Sequence, residues 1–211
     1  KADKNLKDAY GYNLEAGFRG GTTSWRWDVG VFRLQYNNRL GSLAMYDENG
    51  SFYLYRTNIG NSVTDGAELF IEYGVQWQRN MNLSVFTSNA LFDSRYIDAE
   101  IRAGSENVNI RGNKVEGVPT VITRNGLTLR VHTSSITFLY SFTGESYADA
   151  LNTEIPSANG AVGLVPAYSL LDINASFRIL NQIVLRLNIN NVTDEQYFTK
   201  RPAFYPGPGV W

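Results

Sequence analysis

Residues 168–179 and 183–191 alternate apolar and polar side chains over the length of two strands, with a tight turn at Leu180, Asn181 and Gln182 between them. On the second strand Ile183, Leu185, Leu187 and Ile189 take one face, and Val184, Arg186, Asn188 and Asn190 the other. On the first, Leu171, Ile173, Ala175 and Phe177 oppose Asp172, Asn174, Ser176 and Arg178. A period of two over this length is the repeat of a β-strand. One face is uniformly greasy while the other carries Arg, Asp and Asn, which is unlike the inner face of a small sandwich. The pattern suits a barrel wall whose outside meets lipid and whose inside meets water or a polar filling.

Composition narrows the class further. Mean hydropathy is −0.26, and no apolar run reaches the length of a membrane-spanning helix, so a helical membrane protein is excluded. A strand-built one is not, because alternation hides the apolar half from an averaged hydropathy. Net charge is −1 and Lys and Arg are scattered, so no nucleic acid partner is expected. Cysteine is absent and His132 is the single histidine, which removes thiol catalysis, disulfides and most transition-metal sites. His132 falls in an expected short turn, and no phosphate loop or paired-carboxylate motif stands out. The chain therefore reads as no enzyme, with no catalytic residue, metal site or cofactor. It opens on the polar Lys1 and stops in the Pro-Gly-rich stretch 205–209, so both ends read as cut from something longer.

The same hairpin recurs along the chain. Tyr12, Leu14, Ala16 and Phe18 alternate with polar residues, turn at 20–24, and return through Trp25, Trp27, Val29 and Val31. A second hairpin runs over 65–75, turns near Gln78, Arg79 and Asn80, and returns through Met81, Leu83 and Val85. A third descends over 123–131, turns at His132, Thr133 and Ser134, and climbs through Ile136, Phe138, Tyr140 and Phe142. Long polar connections are expected at 37–62, 93–119 and 144–166, with another starting at Asn191. Turns recurring about every 50 residues, with loops of roughly twenty or more between hairpins, fit an outer-membrane barrel better than a sandwich that turns every 8–12 or so. The expected fold is all-β: a transmembrane antiparallel up-and-down β-barrel segment of about eight strands. Tyr10, Tyr12, Trp25, Trp27, Tyr73 and Trp77 are expected in interfacial girdles. By alternation Glu15, Arg19, Arg26, Asp28, Glu68, Glu72, Asp172, Arg178 and Arg186 share the lumen side.

Several of these stretches resemble TonB-dependent outer-membrane receptors. The segment 188–197, Asn-Ile-Asn-Asn-Val-Thr-Asp-Glu-Gln-Tyr, is similar to the family's N-(L/V)-(F/T)-D-x-x-Y signature near its C-terminus, with Val192 and Thr193 where Leu-Phe is commoner. Leu14 to Arg19 looks like the family's E-x-G-x-R strand, and Asn58-Ile59-Gly60 with Gly66-Ala67-Glu68 looks like its N-x-G and G-x-E pair. Val118-Pro119 sits where the family has a Val-Pro before a descending strand. Tyr147-Ala148-Asp149, Asn152-Thr153, Gly160 and residues 163–166 are similar to the ferric-citrate-type receptors. The series covers nearly the whole chain in family order.

The resemblance implies a 22-stranded barrel in the bacterial outer membrane, closed by an N-terminal plug and driven by a TonB complex. Residues 1–211 would be the C-terminal segment of that barrel, without plug, earlier strands and last strand. The implied function is active transport of a ferric chelate, ferric citrate or another siderophore. The competing readings are a same-family receptor for an oligosaccharide or other nutrient, and a soluble β-sandwich binding module. Glu15, Arg19, Gly66, Glu68, Asn191, Asp194 and Tyr197 are signature residues expected to be structural: Asn190, Asn191 and Asp194 end a strand with Asx turns, and Tyr197 anchors the loop base. Arg39, Arg56, Arg95, Arg201 and Tyr205 are ligand-binding candidates by position in the outer loops, since guanidinium pairs bidentately with carboxylates. Arg201 and Tyr205 are expected in one outer pocket.

Overall fold

The computed structural model describes residues 1–47, 51–158, 160–180 and 182–201. Eleven strands follow in order: β1 (Tyr10–Gly21), β2 (Trp25–Tyr46), β3 (Phe52–Gln78), β4 (Met81–Ala103), β5 (Glu106–Asn109), β6 (Val121–Val131), β7 (Ser134–Thr143), β8 (Ser146–Tyr147), β9 (Leu164–Val165), β10 (Tyr168–Leu180) and β11 (Ile183–Ile189). The main sheet runs β1-β2-β3-β4-β6-β7-β10-β11, with β5 paired to β4 and β8-β9 as a separate small ladder. Every pairing between these strands is antiparallel, and neighbours on the main path follow chain order. The eight strands of that path are the walls of the four hairpins expected from alternation.

Register fixes the two faces. One continuous row joins Trp25, Tyr73, Val85, Leu127, Phe138, Ile173 and Ile189, and residues two apart from these belong to the same apolar face. The nine acidic and basic residues expected to share a side all lie on the opposite face, where Arg26 opposes Glu72 and Arg19 opposes Asp28. Among the described residues no second layer covers the apolar face: Phe18 is 70% exposed, Leu14 62% and Ile189 57%. A sandwich would bury that face against another sheet. A single apolar layer of this extent has hydrocarbon as its fitting solvent.

Two connections expected as loops are strands. Residues 37–46 and 52–62 extend β2 and β3 as one ladder, and 93–103 extends β4, which then folds back as β5. Alternation disappears there because outside the apolar band both faces meet water or loops, so polar side chains sit on either side of a continuing ladder. At 27 residues, β3 far exceeds the roughly 10 that a tilted strand needs to cross a bilayer. The 144–166 connection is irregular apart from β8 and β9, as expected.

The upper border of the apolar face is oblique. On β2 and β3 polar residues begin at Arg33 and Asp65. On β4 and β6 they begin nearer the turns, at Thr87 with Asn89 and at Asn125 with Thr123, each pair bonded within its strand at 2.9 and 3.1 Å. Leu91 and Val121 stand beyond that line. A level border crossing tilted strands must cut the register rows at an angle.

Candidate ligand-binding site

A bulge builds the site. Tyr36 pairs with Ser62, but the next paired residue on β2 is Arg39, opposite Gly60. Asn38 takes φ 54 and its amide donates to Asn61 Oδ1 at 2.9 Å, so the short polar side chain holds a left-handed backbone that most residues resist. The extra residue shifts the alternation and turns Arg39 onto the polar face, with Tyr36 rather than opposite it. Gly60 allows the crossing, since its φ of 135 is a conformation open to glycine.

There the Arg39 guanidinium lies between two rings, 5.4 Å from the centroid of Tyr36 and 5.3 Å from that of Tyr96, both within cation–π range. Its Nη1 donates to Ser62 Oγ at 3.1 Å, and Nη2 stands 3.9 Å from Glu116 Oε1. Glu116 is committed elsewhere: its Oε2 accepts from the Tyr96 hydroxyl at 2.7 Å. Tyr96 is buried, and that burial, with the Glu116 carboxylate as second cause, pushes its phenol well above its ordinary pKa, so it stays a proton donor. Thr64 and Ser94 join through a 2.6 Å hydroxyl pair. Tyr36, Arg39, Ser62, Thr64, Ser94 and Val115 line a cavity of about 340 Å³.

The 110–118 segment holds this pocket's far wall. Backbone bonds tie it to β4 at Ser94, Tyr96 and Ala99, and Ile110 and Val115 bury themselves against Tyr96 and Ala99. Asn152 braces it in turn, accepting from the Lys114 amide and donating to the Lys114 carbonyl at 2.6 and 2.9 Å. This apolar cluster fixes a cation between rings on the polar face, beyond the apolar band. Larger concavities of about 560 and 600 Å³ lie along the open edge of β1 and on the apolar face. Neither gathers a cation beside two aromatic rings, so the smaller pocket is the candidate site.

The remaining sequence candidates scatter. Arg56 is exposed, and its backbone pairs with Lys1 and Asp3. Arg95 lies on the opposite face from Tyr96, donating to Asp93 at 2.8 Å. Arg201 is a clasp: Nε and Nη2 donate to the Leu164 carbonyl at 3.1 and 2.9 Å and Nη1 to that of Gly160 at 3.2 Å. It thereby fastens the 144–166 connection. Tyr205 lies outside the described residues. Tyr36, Tyr96 and Glu116 were missed because they fall in or beside stretches read as loops; a Tyr-x-x-Arg at a Asn-Asn bulge was the one available signal.

The signature residues have local structural work. Asn191, at φ 52, donates its amide to Asp172 Oδ1 at 2.8 Å, and its side chain brackets Glu195, accepting from the amide at 2.9 Å and donating to the carbonyl at 3.0 Å. Asp194 follows at φ 53, and Tyr197 stacks on Tyr168 with centroids 4.5 Å apart. Gly66 leaves room for the Phe32 ring, which lies where a Cβ would stand. Glu15 accepts from the Asn13 side-chain amide, Arg19 stands 3.9 Å from Asp28, and Glu68 shares the polar face with both.

Comparison with known proteins agrees with this fold. The probable TonB-dependent siderophore receptor PiuA of Acinetobacter baumannii is 24% identical over 155 residues, 69% of this chain and 19% of that protein. The crystal structure of the same receptor matches with a TM-score of 0.66 at 21% identity, covering 92% of this chain and 26% of that one. The unliganded ferric citrate transporter FecA gives 0.70 at 20%, covering 89% and 27%. The ferric yersiniabactin uptake receptor FyuA of Yersinia pestis gives 0.65 at 16%, covering 91% and 26%. The chain thus spans about a fifth to a quarter of the length of these proteins, and at these identities the structural likeness speaks for the fold. The family model described as "TonB dependent receptor-like, beta-barrel" matches residues 1–192, and the chain belongs to that family.

Proposed function

We propose that this chain is a C-terminal part of the barrel wall of a bacterial outer-membrane receptor that imports a ferric chelate, with work supplied through a TonB complex. The family membership supports the receptor class, and the likeness to siderophore and ferric citrate receptors supports the iron cargo. Ferric citrate is the cargo we favour. The observation that carries the reading is Arg39, a cation held between Tyr36 and Tyr96 on the polar face at the outer end of the wall. A citrate complex presents carboxylates to a guanidinium whose direction is already fixed, so little ordering remains to be done on binding. The rings add a face on which the chelate can lie.

The test is a tryptophan-fluorescence titration of the detergent-purified full-length protein carrying this chain. Ferric citrate is the probe, with iron-free citrate and an oligosaccharide mixture as controls. Saturable, iron-dependent quenching that weakens in Arg39→Ala is the expected result. A response to the oligosaccharides alone would move the cargo to glycans, and no response to any probe from a heat-modifiable barrel would remove ferric citrate.

A further inference from the structure

Charge is divided unevenly across the polar face of the wall. On β1 to β3, below the Arg39 pocket, Glu15, Asp28, Glu68 and Glu72 share that face with Arg19 and Arg26. Both cations are engaged: Arg26 Nε donates to Glu72 Oε2 at 2.8 Å, and Arg19 stands 3.9 Å from Asp28. On β6, β7, β10 and β11 the sign reverses. Register adds Arg124 and Arg130 to Arg178 and Arg186 there, since Arg124 pairs with Ser88 and Ser141, and Arg130 with Asn82 and Ser135. The carboxylate among them, Asp172, accepts from the Asn191 amide at 2.8 Å. Arg124 and Arg130 are exposed on a strand that is paired on both sides. Their side chains make no ion pair or hydrogen bond among the described residues.

The surface between these two guanidiniums is low and neutral. Residues 124–130 rise about 20 Å at about 3.4 Å per residue. Gly126 carries no side chain, and the Phe86 ring lies in the space a Cβ would take. Thr128 shares a 2.9 Å hydroxyl pair with Thr137. The cross-strand neighbours of both arginines are short, so the guanidiniums stand clear of the wall. An anion moving down this face meets hydroxyls and then a second cation.

We propose that this half of the polar face is the track along which an anionic chelate crosses, with Arg124 and Arg130 as successive carboxylate-binding stations between the Arg39 pocket and the short-turn end. That role presupposes the anionic ferric chelate proposed above. Charge decides the side: the surplus carboxylates of β1 to β3 repel such a cargo, whereas each station offers it charge-assisted donors. Exposure decides the strength. A solvated cation holds an anion weakly, and passage needs sites favourable enough to enter and weak enough to leave. Arg39, braced by Ser62 and two rings, suits capture; Arg124 and Arg130 suit transit.

The experiment uses the full-length protein carrying this chain. Thr128→Cys places a thiol between the stations, in a stretch of 211 residues that holds no cysteine, with any cysteine elsewhere replaced. Its reactions with an anionic sulfonatoethyl and a cationic trimethylammonioethyl thiosulfonate are followed by mass spectrometry, each rate divided by that of the same reagent with a free thiol. The anionic reagent should gain about tenfold over the cationic one, and Arg124→Gln with Arg130→Gln should remove the gain. In cells the same pair of substitutions should lower uptake of radioactive ferric citrate about tenfold, while the fluorescence titration keeps its midpoint. Arg124→Lys with Arg130→Lys should stay within about twofold of wild-type uptake, because transit needs the charge rather than a fixed fork. A thiol closed to both reagents, equal rates for the two, or wild-type uptake in the Gln pair would each overturn the track. Loss in the Lys pair as deep as in the Gln pair would overturn it in favour of a bidentate bond to the plug. The reagent rates and the Lys pair decide the matter if the Gln pair fails to fold. If ferric citrate does not bind at all, the cargo reading fails, and the reagent rates still decide whether this face is open and selects anions.

Discussion

Substituting Gly60 by alanine should unzip the outer ends of β3 and β4 while leaving the membrane wall paired. Gly60 has φ 135, and an added Cβ would overlap the Asp98 carbonyl oxygen and stand 2.6 Å from its carbon, about 0.8 Å inside the 3.4 Å at which ordinary contact begins. Both obstructing atoms are backbone, so no side-chain rotation relieves them. The backbone strain costs about 1–3 kcal/mol. Parting the strands gives up the ladder around Gly60–Ala99 and Asn61–Asp98, at about 1 kcal/mol for each of two bonds. The sum, about 3–5 kcal/mol, raises the local opening equilibrium by roughly two to three and a half orders of magnitude. Arg39 is the cross-strand partner of Gly60, so the ligand pocket should loosen with it. Hydrogen exchange followed by mass spectrometry on the full-length protein reads the effect at 54–61 and 97–101, with 81–91 as the internal control. Exchange at 54–61 within about threefold of wild type would refute the steric reasoning.

Other outcomes follow from single contacts. Arg39→Ala should weaken ferric citrate binding by about ten- to a hundredfold, the worth of a charge-assisted bond, and Arg39→Lys should recover only part of it because a point charge cannot reproduce the stacked fork; the fluorescence titration checks both. Arg201→Ala removes three donors from the Leu164 and Gly160 carbonyls, so limited proteolysis should cut within 155–163 roughly tenfold faster, with ligand affinity unchanged. Asn191→Ala loses the bracket on Glu195 and leaves alanine in a left-handed conformation, costing about 1–2 kcal/mol; faster exchange at 192–197, half rescued by Asn191→Gly, is the expected signature. Asp93 is held below the ordinary carboxylate pKa by bonds from Arg95 and then Lys114. Its contribution is therefore present above the ordinary range and lost as pH falls through the depressed value. The protection factor of the amides at 113–115, that is the unstructured exchange rate at the same pH divided by the observed one, should stay flat from neutral pH and fall only below about pH 4.

The sequence by itself determined the wall. Alternation such as Leu185, Leu187 and Ile189 against Arg186 and Asn188 has a period that only a strand can satisfy, and a one-residue slip would exchange lipid-facing and lumen-facing sides throughout. That forced the eight strands, their four short turns and the identity of each face. The ordered motifs from Glu15 to Tyr197 similarly carried the family, and Asn191 with Asp194 announced that side-chain-bonded turns end β11, while their left-handed backbone appeared only in the structure. What alternation could not reach was the part of the chain standing in water. There the two faces are not segregated by solvent, so 37–46, 52–62 and 93–103 lack the period although the ladder continues. The Arg39 pocket was decided only by the tertiary structure. A bulge at Asn38 reverses the parity of a side chain that simple alternation would send outward. Tyr36, Tyr96 and Glu116 meet around it from segments up to 80 residues apart in the chain. Arg95, equally plausible as a loop arginine, faces the other way because no bulge interrupts β4 between Leu91 and Arg95 and plain alternation holds there; which face a cation serves thus depends on where bulges break the register, and hydrophobic period does not mark them beyond the apolar band.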